Sequence, residues 1–293
     1  MTETDLLRRL ETEGQTLTPK LRAIAAYALK ETETFIRNTS RELCADLGVS
    51  EPTLIRFCRE FGHTGLSEFR INLALSLAHQ SDAGTFIEPL PTDRRLVNMD
   101  AKRAIAERAA QLVTGDSSFL IDNGSTAEFF ASALADHAPM TVMTTGLIVA
   151  RNLLSLGKHE VMMTGGTIRP DAMAMTGRLV ESSLAHMRFD AFVMSADSVS
   201  AAAGLSTYRE DEAHSNRAMI AASSRVIVLA DSTKFSKPAL HNICRFNAVA
   251  TLVTDLPEES DELRAIRAQG VEVFCVRPDA SAASDARTVK GTA

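Results

Sequence analysis

Cysteine is scarce, at four residues in 293, and Cys44, Cys58, Cys244 and Cys275 form no C-x-x-C pair. No His-x-x-x-His accompanies them, so the spacing of a zinc site is missing and no metal is expected. Long apolar runs are missing too. No stretch approaches about 18 uninterrupted apolar residues, which leaves no candidate membrane span. The first ten residues carry Glu3 and Asp5 and lack the apolar segment of a secretory leader. Free thiols with neither leader nor span point to a reducing, cytoplasmic setting. An excess of basic charge is also absent: Lys plus Arg number 31 and Asp plus Glu 37, a net charge of −6. That balance excludes a polybasic coat for nucleic acid but leaves room for one DNA-reading module on an acidic body. Finally, the chain contains no G-x-x-x-x-G-K-[ST], H-E-x-x-H, G-x-S-x-G or G-x-G-x-x-G. P-loop, zincin, hydrolase-elbow and dinucleotide chemistry have no motif to rest on, and no cofactor is expected.

What is present is an ordinary globular mixture, 45% apolar and 23% charged, in a length that favours two domains. Residues 1–80 have a helical pattern throughout. Thr18 and Pro19 sit as N-cap and first-turn residues ahead of a stripe of Leu21, Ile24, Ala25, Ala28 and Leu29. Ser40 precedes a short helix over 41–47 closed by Gly48, and Ser50 caps a second over 51–61 closed by Gly62. A further amphipathic helix covers 66–79. Residues 81–99, with Gly84, Pro89 and Pro91, have the composition of a linker. From 100 to 278 a leading helix over 100–112 is followed by short β-rich runs. They lie at 119–122, 141–143, 160–163, 191–194, 226–229, 249–253 and 271–275. Helical patterns at 126–135, 147–156, 178–186, 212–222 and 261–268 separate most of them. Such alternation predicts an α/β domain on a mostly parallel sheet covered on both faces. The small, polar tail over 279–293 predicts disorder.

Residues 39–61 give helix, glycine-containing turn, helix, the spacing of a helix-turn-helix whose second helix enters the major groove. On that helix Leu54, Phe57, Cys58 and Phe61 share one side and should pack inward. Pro52, Arg56 and Arg59 fall opposite, with Thr53 at the edge. Ser50 and Thr53 are short donors suited to base edges or phosphate, and Arg56 has the reach for a guanine. An exposed helical hairpin with surface arginines has the same pattern, and charge does not separate the two. Arg37, Arg41, Arg56, Arg59 and Arg70 face Glu42, Asp46, Glu51, Glu60 and Glu68. The string SRELCADLGVSEPTLIRFCREFGHTGLSEFRINLA does separate them. With its core G-V-S-x-x-T-x-x-R-F-C-R-x-x-G-x-x-G, from Gly48 to Gly65, it resembles the N-terminal domain of the RpiR family of bacterial transcription regulators. The resemblance covers residues 17–74. It implies an all-α helix-turn-helix domain on double-stranded operator DNA, with Ser50, Pro52, Thr53, Arg56 and Arg59 on the DNA side.

Farther along, four strand ends run into small polar turns: Asp122-Asn123-Gly124-Ser125-Thr126, Thr144-Thr145-Gly146, Thr164-Gly165-Gly166-Thr167 and Ala230-Asp231-Ser232-Thr233-Lys234. Ligands of parallel α/β sheets gather at the carboxyl ends of strands. Backbone N–H groups at helix starts favour an anion there, and Ser, Thr and Lys add direct donors. A phosphorylated small molecule suits such a set, although each turn alone would serve plain chain reversal. Over residues 118–275 the chain is similar to the C-terminal effector domain of the DeoR family of sugar-metabolism regulators. The pieces that carry the similarity are I-D-N-G-S-T-A, T-T-G-L, M-T-G-G-T-I-R-P, F-D-A-F-V, G-L-S-T, E-A-H-S-N-R-A-M and L-A-D-S-T-K-F. The resemblance implies an α/β domain with the fold of ribose-5-phosphate isomerase and glucosamine-phosphate deaminase, and a phosphorylated sugar as effector. Carried over by motif, Asp122, Gly124, Ser125, Thr126, Gly166, Glu212 and Lys234 would line its site. Asn123, Thr145, Gly146 and Gly165 stand beside them in the same turns. The chain departs from the family at Asn123, where Ser is commoner, and at 198–203, which lack the glycine more usual before Gly204. Joining an RpiR-type reader to a DeoR-type effector domain is also unusual, but both halves point to one class of ligand.

The expectation is therefore a ligand-controlled transcription regulator, a repressor of carbohydrate metabolism, with no catalytic residue. Helices over 66–79 and 100–112 would help to hold a homodimer or higher oligomer, since helix-turn-helix proteins commonly read two half-sites. The alternative is a sugar-phosphate isomerase or deaminase carrying a DNA-binding module. It would need a carboxylate base, for which Asp190, Glu212 and Asp231 are the candidates. An adaptor binding neither DNA nor ligand is a third, weaker possibility. His214 and His241 lack sequence-local partners and have the character of solvated histidines. Glu210, Asp211 and Glu212 suit the start of a helix.

Overall fold

A computed structural model describes residues 6–80, 86–235 and 237–277. The tail expected to be disordered, 279–293, lies outside the described residues. The chain divides into two compact units, residues 1–97 and 98–293.

The first unit is helical: α1 (Leu6–Thr12), α2 (Pro19–Lys30), α3 (Thr32–Arg37), α4 (Ser40–Leu47), α5 (Glu51–Glu60), α6 (Leu66–Gln80) and α7 (Pro91–Leu96). Pro19 opens α2, whose stripe of Leu21, Ile24, Ala25 and Ala28 is buried as the periodicity requires. The cap of α4 is Thr39 rather than Ser40. Thr39 Oγ1 accepts from Glu42 N while the Glu42 carboxylate accepts from Thr39 N, a reciprocal capping box. Gly48, at φ +62°, closes α4 in the left-handed conformation that glycine tolerates. The centre of the unit is aromatic: Phe35, Phe57, Phe61 and Phe69 are fully buried, with the Phe57 ring 5.2 Å from those of Phe61 and Phe69. The stretch expected to be a linker is corrected in its second half. Pro91–Leu96 is a helix, and Asp93 on it is buried. Arg70 Nη1 donates to Asp93 Oδ2 at 3.1 Å, Ser67 Oγ donates to Asp93 Oδ1 at 2.7 Å, and Arg70 Nε donates to the Phe35 carbonyl at 3.1 Å. Proline and mixed polarity resemble a linker in one dimension, but Asp93 has its partners more than 20 residues upstream.

The second unit opens with α8 (Met99–Leu112) and continues β1 (Ser118–Ile121), α9 (Ser125–Ala133), β2 (Thr141–Thr144), α10 (Leu147–Leu156), β3 (Glu160–Met163), β4 (Thr167–Arg169) and β5 (Ala174–Thr176). Then follow α11 (Arg178–Leu184), β6 (Ala191–Ser195), β7 (Ser198–Ser200), β8 (Gly204–Thr207), α12 (Glu210–Ala221), β9 (Val226–Leu229), β10 (His241–Cys244), β11 (Thr251–Thr254), α13 (Asp261–Arg267) and β12 (Glu272–Cys275). Seven strands form one sheet in the order β3-β2-β1-β6-β9-β11-β12. Every pairing in it is parallel. Neighbouring residues of one strand supply opposite faces. Leu120, Phe192, Val228 and Leu252 enter one buried cluster, and Phe119, Ile121, Val193, Ile227 and Val253 the other. Burial on both sides explains why these strands are continuous apolar runs rather than alternating ones. The helix α8 lays Ile105, Ala106 and Ala109 into this second cluster. Its apolar face is thereby occupied within its own unit. Two small antiparallel sheets, β4-β5 and β10-β8-β7, add strands of three or four residues that the sequence pattern did not signal. Strand β11 starts at Thr251, later than the expected 249, because Phe246–Ala248 forms a 3-10 turn.

Candidate functional site

The order of the parallel sheet reverses between β1 and β6: β1, β2 and β3 run outward to one edge, and β6, β9, β11 and β12 to the other. Crossovers leave the sheet on opposite faces at such a switch point, opening a crevice beyond the carboxyl ends of the two strands. Asp122 follows β1 and Ser195 ends β6, so both stand at that crevice. The Asp122 carboxylate accepts from Ser195 N at 2.7 Å, Ser195 Oγ at 3.2 Å and Gly124 N at 3.1 Å. Burial pushes the Asp122 carboxyl up to about 7, against the lowering effect of these donors; the Glu212 charge adds to the rise. Glycine is required at 124, since a Cβ there would lie 1.8 Å from Ser195 Oγ. Gly124 precedes α9, whose first turn carries Ser125 and buried Thr126 and leaves backbone N–H groups without intrahelical acceptors.

The neighbouring turns converge on this point. Thr144 Oγ1 donates to the Asp122 carbonyl and accepts from Gly146 N at 3.0 Å. A Cβ on Gly146 would stand 3.0 Å from Asn123 Cα, so the turns after β1 and β2 touch. Thr145 is 1% exposed, and among the described residues its hydroxyl has no hydrogen-bond partner. The β4–β5 hairpin closes on the same turn, with Met175 N donating to Thr145 O and Leu147 N to Met173 O, each at 2.8 Å. Gly165 and Gly166 lead into this hairpin with φ of +74° and +125°. A Cβ on Gly166 would meet the Thr176 carbonyl at 2.5 Å. Glu212 lies in the first turn of α12, held by Arg169 Nη1 at 3.2 Å and by Thr207 Oγ1 at 2.9 Å. Lys234 closes a 3-10 turn after β9, which is capped by Asp231. Asp231 is 1% exposed; burial opposes its ionisation, but Lys234 and Lys102 hold its carboxyl below the ordinary range.

In the helical unit, the faces of α5 are those its sequence predicts. Leu54, Phe57 and Cys58 are buried, and burial pushes the Cys58 thiol up to about 12. Ser50, Pro52, Arg56 and Arg59 are exposed, with Thr53 half-buried at the edge. Ser50 occupies the cap position but makes no capping bond to the backbone. Its hydroxyl pairs with Thr53 Oγ1 at 2.9 Å, so the two donors present themselves together. Arg70, counted among the local basic residues, is turned into the core by Asp93.

The DeoR C-terminal sensor domain matches residues 97–256, more than half of the chain. The chain belongs to the DeoR family. Its reader is of another type, since the rpiR-family helix-turn-helix domain matches residues 4–80. Among similar proteins, one from Escherichia coli O157:H7, by name an aga operon transcriptional repressor, is 33% identical over 65% of this chain and 71% of its own. The HTH-type transcriptional repressor CsqR of Escherichia coli K12 is 29% identical over 82% and 89%, and the glycerol-3-phosphate regulon repressor of the same strain 25% identical over 75% and 84%. Among solved structures, ribose 5-phosphate isomerase A from Methanocaldococcus jannaschii matches with a TM-score of 0.36 and 17% identity, over 48% of this chain and 56% of that one. The DeoR-family chain thus spans little more than half of that enzyme.

Of the residues expected at the effector site of this DeoR-type domain, Asp122, Asn123, Gly124 and Gly146 come together, and Thr145 stands in the same turn as Gly146. Gly165 and Gly166 lead into the hairpin that closes on the Thr145–Gly146 turn, and Ser125 and Thr126 lie in the first turn of α9. Glu212 enters through its charge on Asp122. Lys234 is tied instead to Asp231, in the turn after β9, the strand next to β6; among the described residues it makes no hydrogen bond to the Asp122 turn. Of the three carboxylates proposed as a base, Asp190 is elsewhere. It accepts from the backbone and hydroxyls of Ser117 and Ser118 at the opposite end of the sheet, and the Ser117 amide foremost holds its carboxyl low. Ser195, Arg169 and Thr207 enter from the structure and not from the sequence reading. Arg169 and Thr207 do lie inside the quoted pieces M-T-G-G-T-I-R-P and G-L-S-T, so that signal was present. Among the described residues no cluster of metal-ligating side chains occurs, and no helix is long and apolar enough to cross a membrane.

Proposed function

We propose that this chain is a ligand-controlled transcriptional repressor of carbohydrate metabolism, working as a homo-oligomer in the cytoplasm and without catalytic turnover. It reads double-stranded operator DNA through the exposed side of α5 and answers a phosphorylated sugar held at the β1–β6 switch point. The observation that carries the sensor half is the polar crevice around buried Asp122, whose turns come from separate strands at the one place where a doubly wound sheet opens. The start of α9 and the Lys234 ammonium supply the positive potential that a phosphate needs. The repressor names of the relatives support the DNA half, together with Ser50, Thr53, Arg56 and Arg59 free on one helix face.

A thermal-shift screen of the full chain with sugar phosphates, followed by gel shifts on its own promoter DNA, tests this function. A binder of the native state raises the melting temperature. The expected result is stabilisation by one member of the panel, an altered gel shift in its presence, and recovery of the sugar phosphate unchanged. Conversion of the sugar phosphate would instead make the chain an isomerase or deaminase. No stabilisation by any member would remove the sensor half.

A further inference from the structure

Asn98, the first residue of the α/β unit, stands at the N-cap of α8 with a left-handed backbone, φ +54°. Asparagine is favoured at such a position because its side chain can accept a hydrogen bond from the first turn of the helix, and it tolerates the left-handed region better than most residues. Here the capping bond is not made. The amide is turned elsewhere: Asn98 Nδ2 donates at 3.2 Å to Asp231 Oδ1, 133 residues along the chain. Asp231 is 1% exposed and caps the turn that carries Lys234. Burial opposes its ionisation, and two cations offset that, Lys234 from its own turn and then Lys102, itself 4% exposed in the first part of α8. The start of α8 thus supplies two of the groups that hold Asp231, and the effector turn supplies Lys234 and the Thr233 amide. On the other side of the boundary, the chain is tied into the reader unit. Val97 N donates to the Asp93 carbonyl at 3.2 Å, and the Asp93 carboxylate is bound by Arg70 and Ser67. Only residues 94–97 separate an anchor in the helical unit from an anchor on the effector turn.

We infer that the Asn98–Asp231 hydrogen bond is the coupling element of this chain: it passes the state of the Lys234 turn to the first residue after the reader unit. The inference rests on the sensor function proposed above and adds the route from ligand to reader. A phosphate on Lys234 takes a share of the charge that otherwise serves Asp231, since one ammonium divides its attraction between two anions. Asp231, buried and still ionised, then draws more on Lys102 and on the Asn98 amide, both at the start of α8. Occupancy of the crevice is thereby converted into a change of load at residue 98. The link is reciprocal: whatever DNA does to residue 98 returns through the same contact to Lys234.

The test measures a ratio. Affinity of the full chain for its own promoter DNA is titrated with and without a saturating sugar phosphate. The one used is whichever of glucose 6-phosphate, fructose 6-phosphate, ribose 5-phosphate and glucosamine 6-phosphate most raises the melting temperature. In the unaltered chain it should change DNA affinity by about five- to 150-fold. Asn98→Gly keeps the left-handed backbone and removes the amide. This variant should still bind the sugar phosphate and the DNA, each alone, while the response of one to the other falls about fivefold or more, the scale of one hydrogen bond. A merely structural role for Asn98 would lower the melting temperature or both affinities and leave the ratio as it was. An unchanged ratio therefore overturns the inference and leaves the sensor function standing. If the variant does not fold, amide hydrogen exchange in the unaltered chain decides. Lys102 N donates to the Asn98 carbonyl at 2.9 Å, and its exchange rate should change once the sugar phosphate binds in the absence of DNA. Equal rates overturn the inference in the same way. Binding of the sugar phosphate with no change in DNA affinity of the unaltered chain also overturns it. Absence of binding by all four sugar phosphates overturns the sensor function and the inference together.

Discussion

The helical unit keeps its candidate functional side chains in solvent, with Ser50, Pro52, Arg56 and Arg59 exposed at and on α5, and buries a charge pair, Arg70 with Asp93, in its core. The α/β unit leans the other way. Part of its candidate ligand set is buried, with Asp122 5% exposed, Thr126 3% and Thr145 1%, and Ser125, Glu212 and Lys234 are half-buried. A reading helix offers a finished outer face to a large partner, so its contacts can change with little effect on folding. A small ligand needs an enclosed set of donors and acceptors, and at the switch point those groups also hold the turns together. Function and stability are separable in the first unit and entangled in the second.

The strongest way to break that contrast is to attack the first unit where it carries no function. Arg70→Ala leaves the Asp93 carboxylate buried with Ser67 alone, and loss of one partner of a buried pair costs about 3–5 kcal/mol. Denaturant unfolding should show the helical unit melting early, and gel shifts should weaken with it, although Arg70 faces away from any DNA. A gel shift at unaltered strength would mean that the pair contributes little.

Next in size is Lys234→Ala, which should lose roughly 1.5–3 kcal/mol of sugar-phosphate affinity by calorimetry. Here entanglement should be visible. Asp231 loses the foremost of the two cations that hold its carboxyl low, so the α/β unit should also melt at a lower temperature, an effect largest near neutral pH and fading in acid. A full loss of binding with an unchanged melting temperature would separate function from stability in this unit as well. Arg56→Ala sharpens the other side of the comparison. It should weaken operator binding by about 1–3 kcal/mol and relax preference at one base position, with no change in melting temperature. Arg59→Ala should weaken all DNA sequences alike.

The last effect is a pH dependence. The Asp122 carboxyl titrates at about 7 in the folded chain against an ordinary value of 3.8. Between those values the folded state holds a proton that the unfolded state has released. Its stabilisation is therefore full in acid and lost as pH rises through 7, at no more than about 1.4 kcal/mol per pH unit. His159, whose burial lowers its value, works in the opposite direction, so the informative quantity is a difference. Melting temperatures of the unaltered chain and of Asp122→Asn should converge as pH rises from 5 to 8 if the variant is the less stable at pH 5. Parallel curves would mean that Asp122 has its ordinary, low value and does not titrate with a folded-state value in this range.

Legibility differed between the units for the same reason that function did. The faces of α5 could be read because a helix repeats every 3.6 residues and its neighbours in space are neighbours in sequence. The continuous apolar strands and the glycine-bearing turns after them were equally plain, since burial on both faces and sharp reversals each impose a local composition. Asp93 was passed over because proline and mixed polarity look alike in a linker and in a short helix, and its partners lie far upstream. Ser195 is not legible in the sequence, because nothing near it in the chain marks it.

By itself the sequence determined two domains, a helix-turn-helix with a defined outward face, a parallel α/β sheet and a set of polar strand ends suited to an anion. Those properties follow from period, burial and turn chemistry, which act over a few residues at a time. Only the tertiary structure decided which strand ends share a crevice. The order β3-β2-β1-β6-β9-β11-β12 brings Asp122 to Ser195 across 73 residues of sequence and carries Asp190 to the far end of the sheet. Strand order depends on how crossover helices cover both faces of the whole sheet, a cooperative packing outcome that no local stretch of residues contains.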